Sequence, residues 1–279
     1  LNLPEAKARS FNAVTVFLGD RQYEFTARRA IKIINREDLG YHQVKRLRGA
    51  GNVTIKTGTA VRRIDTNRVA TTAGDFSYRF LVGADGSTSL VRRFLKIDSQ
   101  YMAGIYYDLD EPKERMIFRL DGTAFKTGYT WEFPHQKFTN IGFYYNPTHW
   151  KSRDAVRILR NYMQDRGYPI NSNTFRAFPI NHLYKGSLFG ENIFLAGDAA
   201  GLASKLTGEG IAYAMISGRE IARKIMDPQY EMSKLSKVVA HKKRQDNLAY
   251  FLEKIPIGLN AIYHLHIKAL KIGILRWPS

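Results

Sequence analysis

Residues 192–226 read NIFLAGDAAGLASKLTGEGIAYAMISGREIARKIM, and this stretch decides the fold class of the chain. The apolar run Asn192–Ala196 predicts a short buried strand, and Glu209–Met226 predicts a long helix. Between them the chain passes through Gly197-Asp198 and a loop of small residues. Ligands of open α/β sheets lie beyond the carboxyl ends of the strands. The order strand, loop and helix therefore predicts a ligand site in an α/β domain.

The residue types in this loop favour a large polar ligand. The carboxylate of Asp198 can accept hydrogen bonds from ligand hydroxyl groups. Gly208 and Gly210 permit close approach of the backbone, and the free N–H groups at the helix start favour negative charge. A strand–loop–helix whose glycines serve only turn geometry is the alternative for a short motif. The order of the whole stretch favours ligand binding.

The same stretch resembles the second FAD-binding motif of the glutathione-reductase-type flavoproteins, in particular the version of the geranylgeranyl reductase family. That version reads GDAAG, a short spacer, then P-L-T-G-E-G-I. The resemblance implies that Gly197 and Asp198 bind the ribityl chain. It also implies that four residues lie beside the pyrimidine end of the isoalloxazine ring: Gly208, Glu209, Gly210 and Ile211. Lys205 stands where the family has proline, which would remodel the loop or bring a cation near the flavin.

A second motif, FLVGADGSTSLVRRFL at residues 80–95, is similar to the family's G-A-D-G-x-x-S-x-V-R. Related flavoproteins use this segment near the pyrophosphate and, in hydroxylases, for nicotinamide cofactors, so the resemblance assigns Asp85 and Gly86 to the cofactor. Arg92 and Arg93 predict contacts to an anion, with a charged helix face as the alternative. Weaker matches assign two more cofactor residues: Arg36, at a strand-to-helix junction, and Thr59, beside the adenine.

Dinucleotide-binding chains normally carry G-x-G-x-x-G between the first strand and helix, with an acidic residue further on. The 279 residues contain neither feature, because RGAGN at 48–52 follows a predicted helix rather than a strand. The resemblance covers about residues 30–226 and implies a further segment ahead of Leu1. Truncation, disorder and real loss of that segment are all open.

The stretch GYTWEFP at 128–134 predicts a strand with its aromatic residues on one face. Core packing is the ordinary reason for such a pattern. The stretch also resembles the family's Y-x-W-x-F-P motif, which lines the apolar tunnel over the flavin. That resemblance implies four substrate contacts: Tyr129, Trp131, Phe133 and Pro134. Flavin halogenases carry W-x-W-x-I-P at a similar place, so Tyr129 and Phe133 argue against halogenation.

The remaining elements predict α/β plus α+β architecture. We expect strands at Ala13–Leu18, Ala30–Ile34, Val53–Lys56, Ala60–Ile64, Val69–Thr72 and Tyr78–Gly83, and an antiparallel sheet over residues 99–146. The predicted fold is a glutathione-reductase-type FAD-binding domain without its N-terminal βαβ unit, an antiparallel-sheet substrate domain and C-terminal helices. The expected domains are 1–98 with 188–228 for FAD, 99–187 for substrate, and a basic helical region at 229–279.

Composition limits the partners of the chain. With 43 basic and 25 acidic residues the net charge is +18, which attracts anions. The basic apolar tail, which includes Lys268, Lys271, Arg276 and Trp277, suits an interfacial helix on anionic lipid, and a packed helix with solvated lysines fits it equally. Nucleic acid is disfavoured because no recognition motif is present. Absent cysteine excludes disulfides and thiolate metal sites, and fits a cytoplasmic protein, with a peripheral location on the inner face of the membrane left open. No metal site is expected.

Together these features predict an FAD-dependent oxidoreductase similar to geranylgeranyl reductases, which saturates C=C bonds of a polyprenyl lipid by hydride transfer from reduced flavin. The flavin carries the chemistry, and no catalytic side chain is predicted. The electron donor is NAD(P)H or a ferredoxin. One alternative is an FAD-dependent monooxygenase that hydroxylates an aromatic or polyketide-type substrate. The other is a non-catalytic, basic, membrane-associated remnant.

Overall fold

A computed structural model describes residues 8–170, 175–255 and 258–271, and within them the chain forms thirteen strands and six α-helices. The strands are β1 (Arg9–Leu18), β2 (Arg21–Ile33), β3 (Val61–Ile64), β4 (Arg68–Thr71), β5 (Gly74–Ser77), β6 (Leu81–Gly83), β7 (Tyr101–Leu109), β8 (Ile117–Leu120), β9 (Tyr129–Pro134), β10 (Thr139–Tyr145), β11 (Arg176–Asn181), β12 (Leu188–Phe189) and β13 (Ile193–Leu195). The helices are α1 (Arg36–Arg48), α2 (Leu90–Phe94), α3 (Ser152–Gln164), α4 (Ile211–Met226), α5 (Ser233–Glu253) and α6 (Leu259–Lys271). The predicted mixed α/β class with antiparallel sheets and C-terminal helices is confirmed.

The chain divides into two compact units, which differ from the expected domains. The first comprises residues 1–55, 104–177 and 255–279, and the second comprises residues 56–103 and 178–254. The N-terminal segment was expected in the FAD domain, but residues 9–33 form a hairpin that belongs to a seven-stranded sheet of order β11-β7-β10-β9-β8-β1-β2. The reason is a long-range pairing: β1 lies parallel to β8, with Thr15 opposite Ile117.

The hairpin itself is longer than the sequence predicts. The two expected strands Ala13–Leu18 and Ala30–Ile34 fall in one hairpin, which pairs Arg9 with Ile33 at one end and Leu18 with Arg21 at the other, and Ile34 lies just beyond it. A two-residue turn closes the pairing, and its first residue, Gly19, has φ +57°. Because short turns of this kind match the twist of two antiparallel strands, pairing is continuous next to the turn, from Leu18 opposite Arg21 to Ala13 opposite Thr26, and the register shifts between Ala13 and Phe11.

A helix from the C-terminal region packs on the same sheet. Ile267 of α6 lies in an apolar cluster of eight buried side chains, the others being Phe11, Val14, Val16, Leu18, Phe25, Ile33 and Met116. The hydroxyl of Tyr263 donates to the carbonyl of Lys126 at 3.2 Å, whereas Lys268 and Lys271 are exposed. The described part of the basic tail is therefore a packed helix. The expected break at Pro256, and Arg276 with Trp277, lie outside the described residues.

The second unit contains two small sheets. In the sheet β12-β13-β6, β13 runs parallel to β6, with Phe194 opposite Val82, and β6 covers only Leu81–Gly83 of the expected strand Tyr78–Gly83. In the sheet β3-β4-β5, the third strand is Gly74–Ser77 and not the expected Val53–Lys56, which is not a strand. A two-residue connection places Gly74 opposite Thr71, so β4 pairs with its sequence neighbour in preference to a segment further back.

A buried carboxylate joins α4 to α5 within the second unit. Glu220 of α4 is fully buried and accepts hydrogen bonds from the Tyr230 hydroxyl and the Lys234 amide, each at 3.0 Å. Arg223 lies 3.4 Å away. Burial alone would raise the pKa of Glu220, but these hydrogen bonds and the Arg223 charge lower it below its ordinary value. Since free N–H groups at a helix start require acceptors, Glu220 stabilises the beginning of α5.

Among the described residues, none of the helices combines the length and the apolar character required to cross a bilayer.

Candidate functional site

The predicted strand–loop–helix exists, and its glycines are required by geometry. Strand β13 ends at Leu195, and the Ala196 amide donates to the Gly83 carbonyl at 2.9 Å. Gly197 then has φ +54°, and a Cβ at this position would lie 2.8 Å from the Cβ of Ala214. A side chain is excluded on both counts. The chain therefore turns sharply at the carboxyl end of β13 and packs directly on α4.

The carboxylate of Asp198 lies where the two sequence motifs meet. Its Oδ2 accepts a hydrogen bond from the hydroxyl of Ser87 at 3.2 Å. Its Oδ1 lies against Gly210, because a Cβ built on that glycine would be 3.0 Å from this oxygen. The structure thus brings together the GADGSTS turn, the GDAAG turn and the start of α4.

A third segment, which the sequence did not indicate, holds this arrangement. Asn181 is fully buried. Its backbone N–H donates to the Ser87 hydroxyl at 3.1 Å, and its side-chain Nδ2 donates to the backbone carbonyl of Asp198 at 3.0 Å. Ser87 occupies a variable position of its motif, and Asn181 lies in no motif. Only the pairing of distant segments could have identified them.

The start of α4 has the properties expected of an anion-facing helix end. Its N-cap, Gly210, has φ −146° and makes no side-chain cap, and Gly208 has φ +69°. The helix consequently begins at Ile211, two residues after the predicted start, and Ile211 is exposed. The Tyr213 hydroxyl donates to Glu209 at 3.4 Å, and burial, with the charge of Glu209, raises the pKa of Tyr213. Without a side-chain cap, the first N–H groups of α4 remain suited to negative charge.

Asp85 and Gly86 form the turn after β6, as predicted. Gly86 has φ +78°, and the carboxylate of Asp85 accepts a hydrogen bond from the Leu90 amide at 2.6 Å. Asp85 is exposed, so one of its oxygens holds the turn that opens α2 and the residue still faces solvent. The cofactor role of both residues stays a prediction.

The expected anion contact of Arg92 is wrong. Arg92 is 1% exposed, and its guanidinium donates to the carbonyls of Asp98, Leu183 (2.7 Å) and Ala199 (3.1 Å). Burial lowers the pKa of Arg92, against the opposing effect of Tyr101 and Asp98. The side chain turns inward because three loop carbonyls converge there, and buried carbonyls require donors. Arg93, in contrast, is exposed.

The two weaker cofactor predictions are placed as follows. Thr59 belongs to the second unit, and its hydroxyl donates to the nearby Thr57 carbonyl at 3.3 Å. Arg36 belongs to the first unit, where it is the exposed first residue of α1 behind the N-cap Asn35. Their proposed contacts with a cofactor stay predictions.

The aromatic face predicted at residues 128–134 forms β9 in the first unit. Trp131 is 7% exposed, and its Nε1 donates to Asn140 at 2.7 Å. The ring lies over Gly142, where a Cβ would approach to 2.1 Å. Phe133 stacks on Trp131 at 5.9 Å between ring centroids, and Tyr129 follows at 6.1 Å. The result is a wall of fixed aromatic rings. Pro134 ends the strand opposite Thr139.

The opposite face of β9 carries a polar cluster that sequence reasoning missed. Glu132 is 1% exposed and accepts hydrogen bonds from the hydroxyls of Tyr162 at 2.6 Å and Tyr168 at 3.1 Å. Arg166 lies 3.6 Å from the same carboxylate. Burial, and then the Glu132 charge, raises the pKa of both tyrosines. Glu132 fixes α3 on the sheet through Tyr162, and the alternation of Tyr129, Trp131 and Phe133 gives no sign of this role.

The chain is similar to a known domain family and to several known proteins. The family described as FAD binding domain matches residues 35–232. An uncharacterized protein of Methanosarcina barkeri is 26% identical over 264 residues, which are 88% of this chain and 67% of that protein. A digeranylgeranylglycerophospholipid reductase of Methanosphaera stadtmanae is 26% identical over 223 residues, 69% of this chain and 54% of that reductase. The chain thus spans only part of each.

Two solved structures share the fold. A geranylgeranyl bacteriochlorophyll reductase-like protein of Thermoplasma acidophilum has a TM-score of 0.69 and 16% identity, covering 90% of this chain and 71% of that one. A probable FAD-dependent monooxygenase of Pseudomonas aeruginosa has a TM-score of 0.67 and 17% identity, covering 91% and 80%. Together with the family match they confirm the expected FAD-domain fold, which reductases and monooxygenases have in common.

Proposed function

Because the chain belongs to the family of FAD binding domains, we propose that it is a flavin-dependent reductase that saturates the C=C bonds of a polyprenyl lipid. The observation that carries the proposal is the meeting of Asp198, Ser87 and the uncapped start of α4 around Gly210. The names of several relatives as geranylgeranyl or digeranylgeranyl lipid reductases support the choice of substrate class.

The residues of the second unit fit the flavin half of FAD. Gly210 leaves the space beside Asp198 Oδ1 that any Cβ would fill, and no side chain caps α4. Asp198 would accept hydrogen bonds from ribityl hydroxyls, and the segment Gly208–Ile211 would present its backbone to the ring. When bound, the flavin supplies the hydride for alkene reduction. The chain's own part is to bind and orient the ring and to favour negative charge on it through the dipole of α4.

The substrate side of the proposal rests on β9. Trp131 is fixed by Asn140, which itself donates to Asp108 at 2.7 Å. An apolar wall that is already ordered gives up little conformational entropy when a hydrocarbon chain binds. An isolated alkene is a weak hydride acceptor, so its position relative to the hydride donor has to be closely controlled. We assign Tyr129, Trp131, Phe133 and Pro134 to that control.

A second candidate is an FAD-dependent monooxygenase, and the shared fold with a probable monooxygenase favours it. The two activities differ in the product. The purified protein, loaded with FAD and reduced without oxygen, should add two hydrogens per double bond to a geranylgeranyl lipid, as read by mass spectrometry. A product that gains one oxygen atom, and only in air, would identify the monooxygenase. A protein that takes up no FAD would favour a non-catalytic remnant.

The electron donor and the membrane partner belong to the proposal as well. We assign electron supply to NAD(P)H or a ferredoxin. The outward lysines of α6, Lys268 and Lys271, would attract an anionic lipid surface on which a prenyl lipid substrate is carried. Since Ile267 is buried in the sheet core, such a contact would be electrostatic and would not insert the apolar face of α6.

A further inference from the structure

The segment Ser204–Gly210 connects the GDAAG turn to α4 and forms a closed loop, called here the Lys205 loop. The Ser204 amide donates to the Glu209 carbonyl at 2.9 Å, and the Gly208 amide donates to the Ser204 carbonyl at 2.9 Å. The Ser204 hydroxyl also accepts from the Leu206 and Thr207 amides, each at 3.2 Å. Because its two ends bond to each other, the loop is a closed unit.

Lys205 attaches this loop to α5 by two bonds. Its Nζ lies 2.9 Å from the carboxylate of Glu253, and its backbone amide donates to Oδ1 of Asp246 at 2.9 Å. The side chain is 6% exposed and its ammonium lies 4.1 Å from the ring centroid of Tyr250. A proline here would have neither an ammonium group nor an N–H, so it could form neither bond.

A second lysine, Lys242, holds Asp246, the acceptor of the Lys205 backbone amide, in place. Lys242 is 3% exposed; its Nζ donates to Oδ2 of Asp246 and, at 2.7 Å, to the carbonyl of His182. Burial, with the charges of Lys205 and Lys242, lowers the pKa of His182 to about 3, so this imidazole is neutral near pH 7. The cluster therefore balances two ammonium groups against two carboxylates. A buried charge that loses its partner is costly, so the loop resists displacement from α5.

We propose that Lys205 is a positioning residue for the flavin site. By binding Glu253 with its side chain and Asp246 with its amide, it fixes the Lys205 loop and so sets where Gly208, Gly210 and the first N–H groups of α4 stand. The inference rests on the proposed function, because it assigns these backbone groups to the flavin. Lys205 would then fix the loop by its two bonds to α5, whereas the proline that the family has at this position would fix it by its ring.

The test compares three variants of the full chain with the wild type: Lys205→Met, Lys205→Arg and Lys243→Met. Met removes the charge at similar length, Arg keeps it, and Lys243 is an exposed lysine of α5 that serves as the matched control. Hydrogen–deuterium exchange of the loop amides is measured on flavin-free protein, and FAD affinity and the absorption spectrum of bound flavin on the same preparations. Exchange in β13 and in the middle of α4 reports whether each variant folds.

We expect Lys205→Met to speed exchange of the loop amides about tenfold or more, since a broken buried pair frees the segment locally. FAD affinity should fall roughly twofold to 150-fold, the range of coupling between neighbouring groups, and the flavin spectrum should shift. Lys205→Arg should restore all three readouts, and Lys243→Met should change none. A second variant, Glu253→Gln, should reproduce Lys205→Met, and combining the two should add little.

Two results would overturn the proposal: unchanged loop exchange in Lys205→Met, or faster exchange with wild-type FAD affinity and spectrum. The second would reduce Lys205 to a structural residue. A wild-type protein that binds no FAD would refute the proposed function and the flavin role of Lys205 with it, whereas the exchange data from flavin-free protein would still decide whether Lys205 holds the loop.

Discussion

Replacement of Asp198 by alanine tests the flavin site most directly. Its carboxylate would form a charge-assisted hydrogen bond to the ribityl chain, worth roughly 1.5–3 kcal/mol. Because 1.4 kcal/mol is about a tenfold change in affinity, Asp198→Ala should weaken FAD binding roughly tenfold to a hundredfold. Ser87→Ala removes only the hydroxyl that donates to Asp198 at 3.2 Å. Because Ser87 would orient the carboxylate and would not itself bind the ribityl chain, we expect Ser87→Ala to weaken FAD binding only severalfold, less than Asp198→Ala.

Isothermal titration calorimetry with FAD provides the measurement. The fold should survive Asp198→Ala, because Asn181 bonds to the backbone carbonyl of Asp198 and not to its carboxylate. Glu191→Ala is the matched control, since it removes an exposed carboxylate of the same unit just before β13. Equal FAD affinity in Asp198→Ala and wild type would refute the assignment of Asp198. An equal loss in the Glu191 control would attribute the effect to net charge.

Four further outcomes are expected. Gly210→Val should fold but take up little flavin, because even a Cβ there would lie 3.0 Å from an Asp198 oxygen; a variant with full flavin content by absorbance would make this loop purely structural. Trp131→Phe loses the hydrogen bond of 2.7 Å from Nε1 to Asn140. It should lower kcat/KM for the prenyl lipid severalfold, as expected for one hydrogen bond of about 1 kcal/mol, and should change FAD affinity much less. Equal effects on kcat/KM and FAD affinity would show that Trp131 does not contact the substrate. The pKa of Glu220 is lowered below 4.5 in the folded state, so its stabilisation is present above that pH and is lost as the pH falls through the folded pKa. Urea unfolding should therefore show a steeper loss of stability below about pH 4.5 in wild type than in Glu220→Gln, and parallel curves would contradict the assignment. Replacing Lys268 and Lys271 by glutamine should reduce co-sedimentation with anionic vesicles at low salt and leave neutral vesicles unaffected; identical binding to both would exclude an electrostatic role for α6.

The local part of the site follows from the sequence. A buried strand, a turn and a helix are adjacent in the chain. Gly197 and Gly208 have positive φ angles, which few residues other than glycine adopt. The start of α1 at Arg36 follows in the same way from the cap residue Asn35. In each case the determinants lie within a few residues of the feature that they specify.

The other part depends on contacts between distant segments. Asn181 and Ser87 are 94 positions apart, and no local pattern links them. The Lys205–Glu253 pair spans two helices and a loop, and the parallel pairing of β1 with β8 joins residues about a hundred positions apart. Arg92 is the instructive error. Its motif predicts an anion contact. The side chain instead points toward the carbonyls of Asp98, Leu183 and Ala199, two of which lie about a hundred positions away in the chain.

The choice between reduction and hydroxylation depends on residues outside the cofactor motifs, because the fold serves both chemistries. Strand β9 separates two environments: Glu132 on one face takes part in a closed polar cluster, and Trp131 on the other belongs to the aromatic wall. The Trp131 Nε1 group donates to Asn140, and the Asn140 amide donates to Asp108, so a substrate against this wall would meet mainly fixed hydrocarbon surface. A phenol or polyketide needs polar partners for its hydroxyl groups, and leaving these unpaired costs about 1–3 kcal/mol each. A prenyl chain needs none. Under the proposed function the aromatic wall would therefore favour a prenyl lipid, and we expect a substrate with several hydroxyl groups to bind this face poorly.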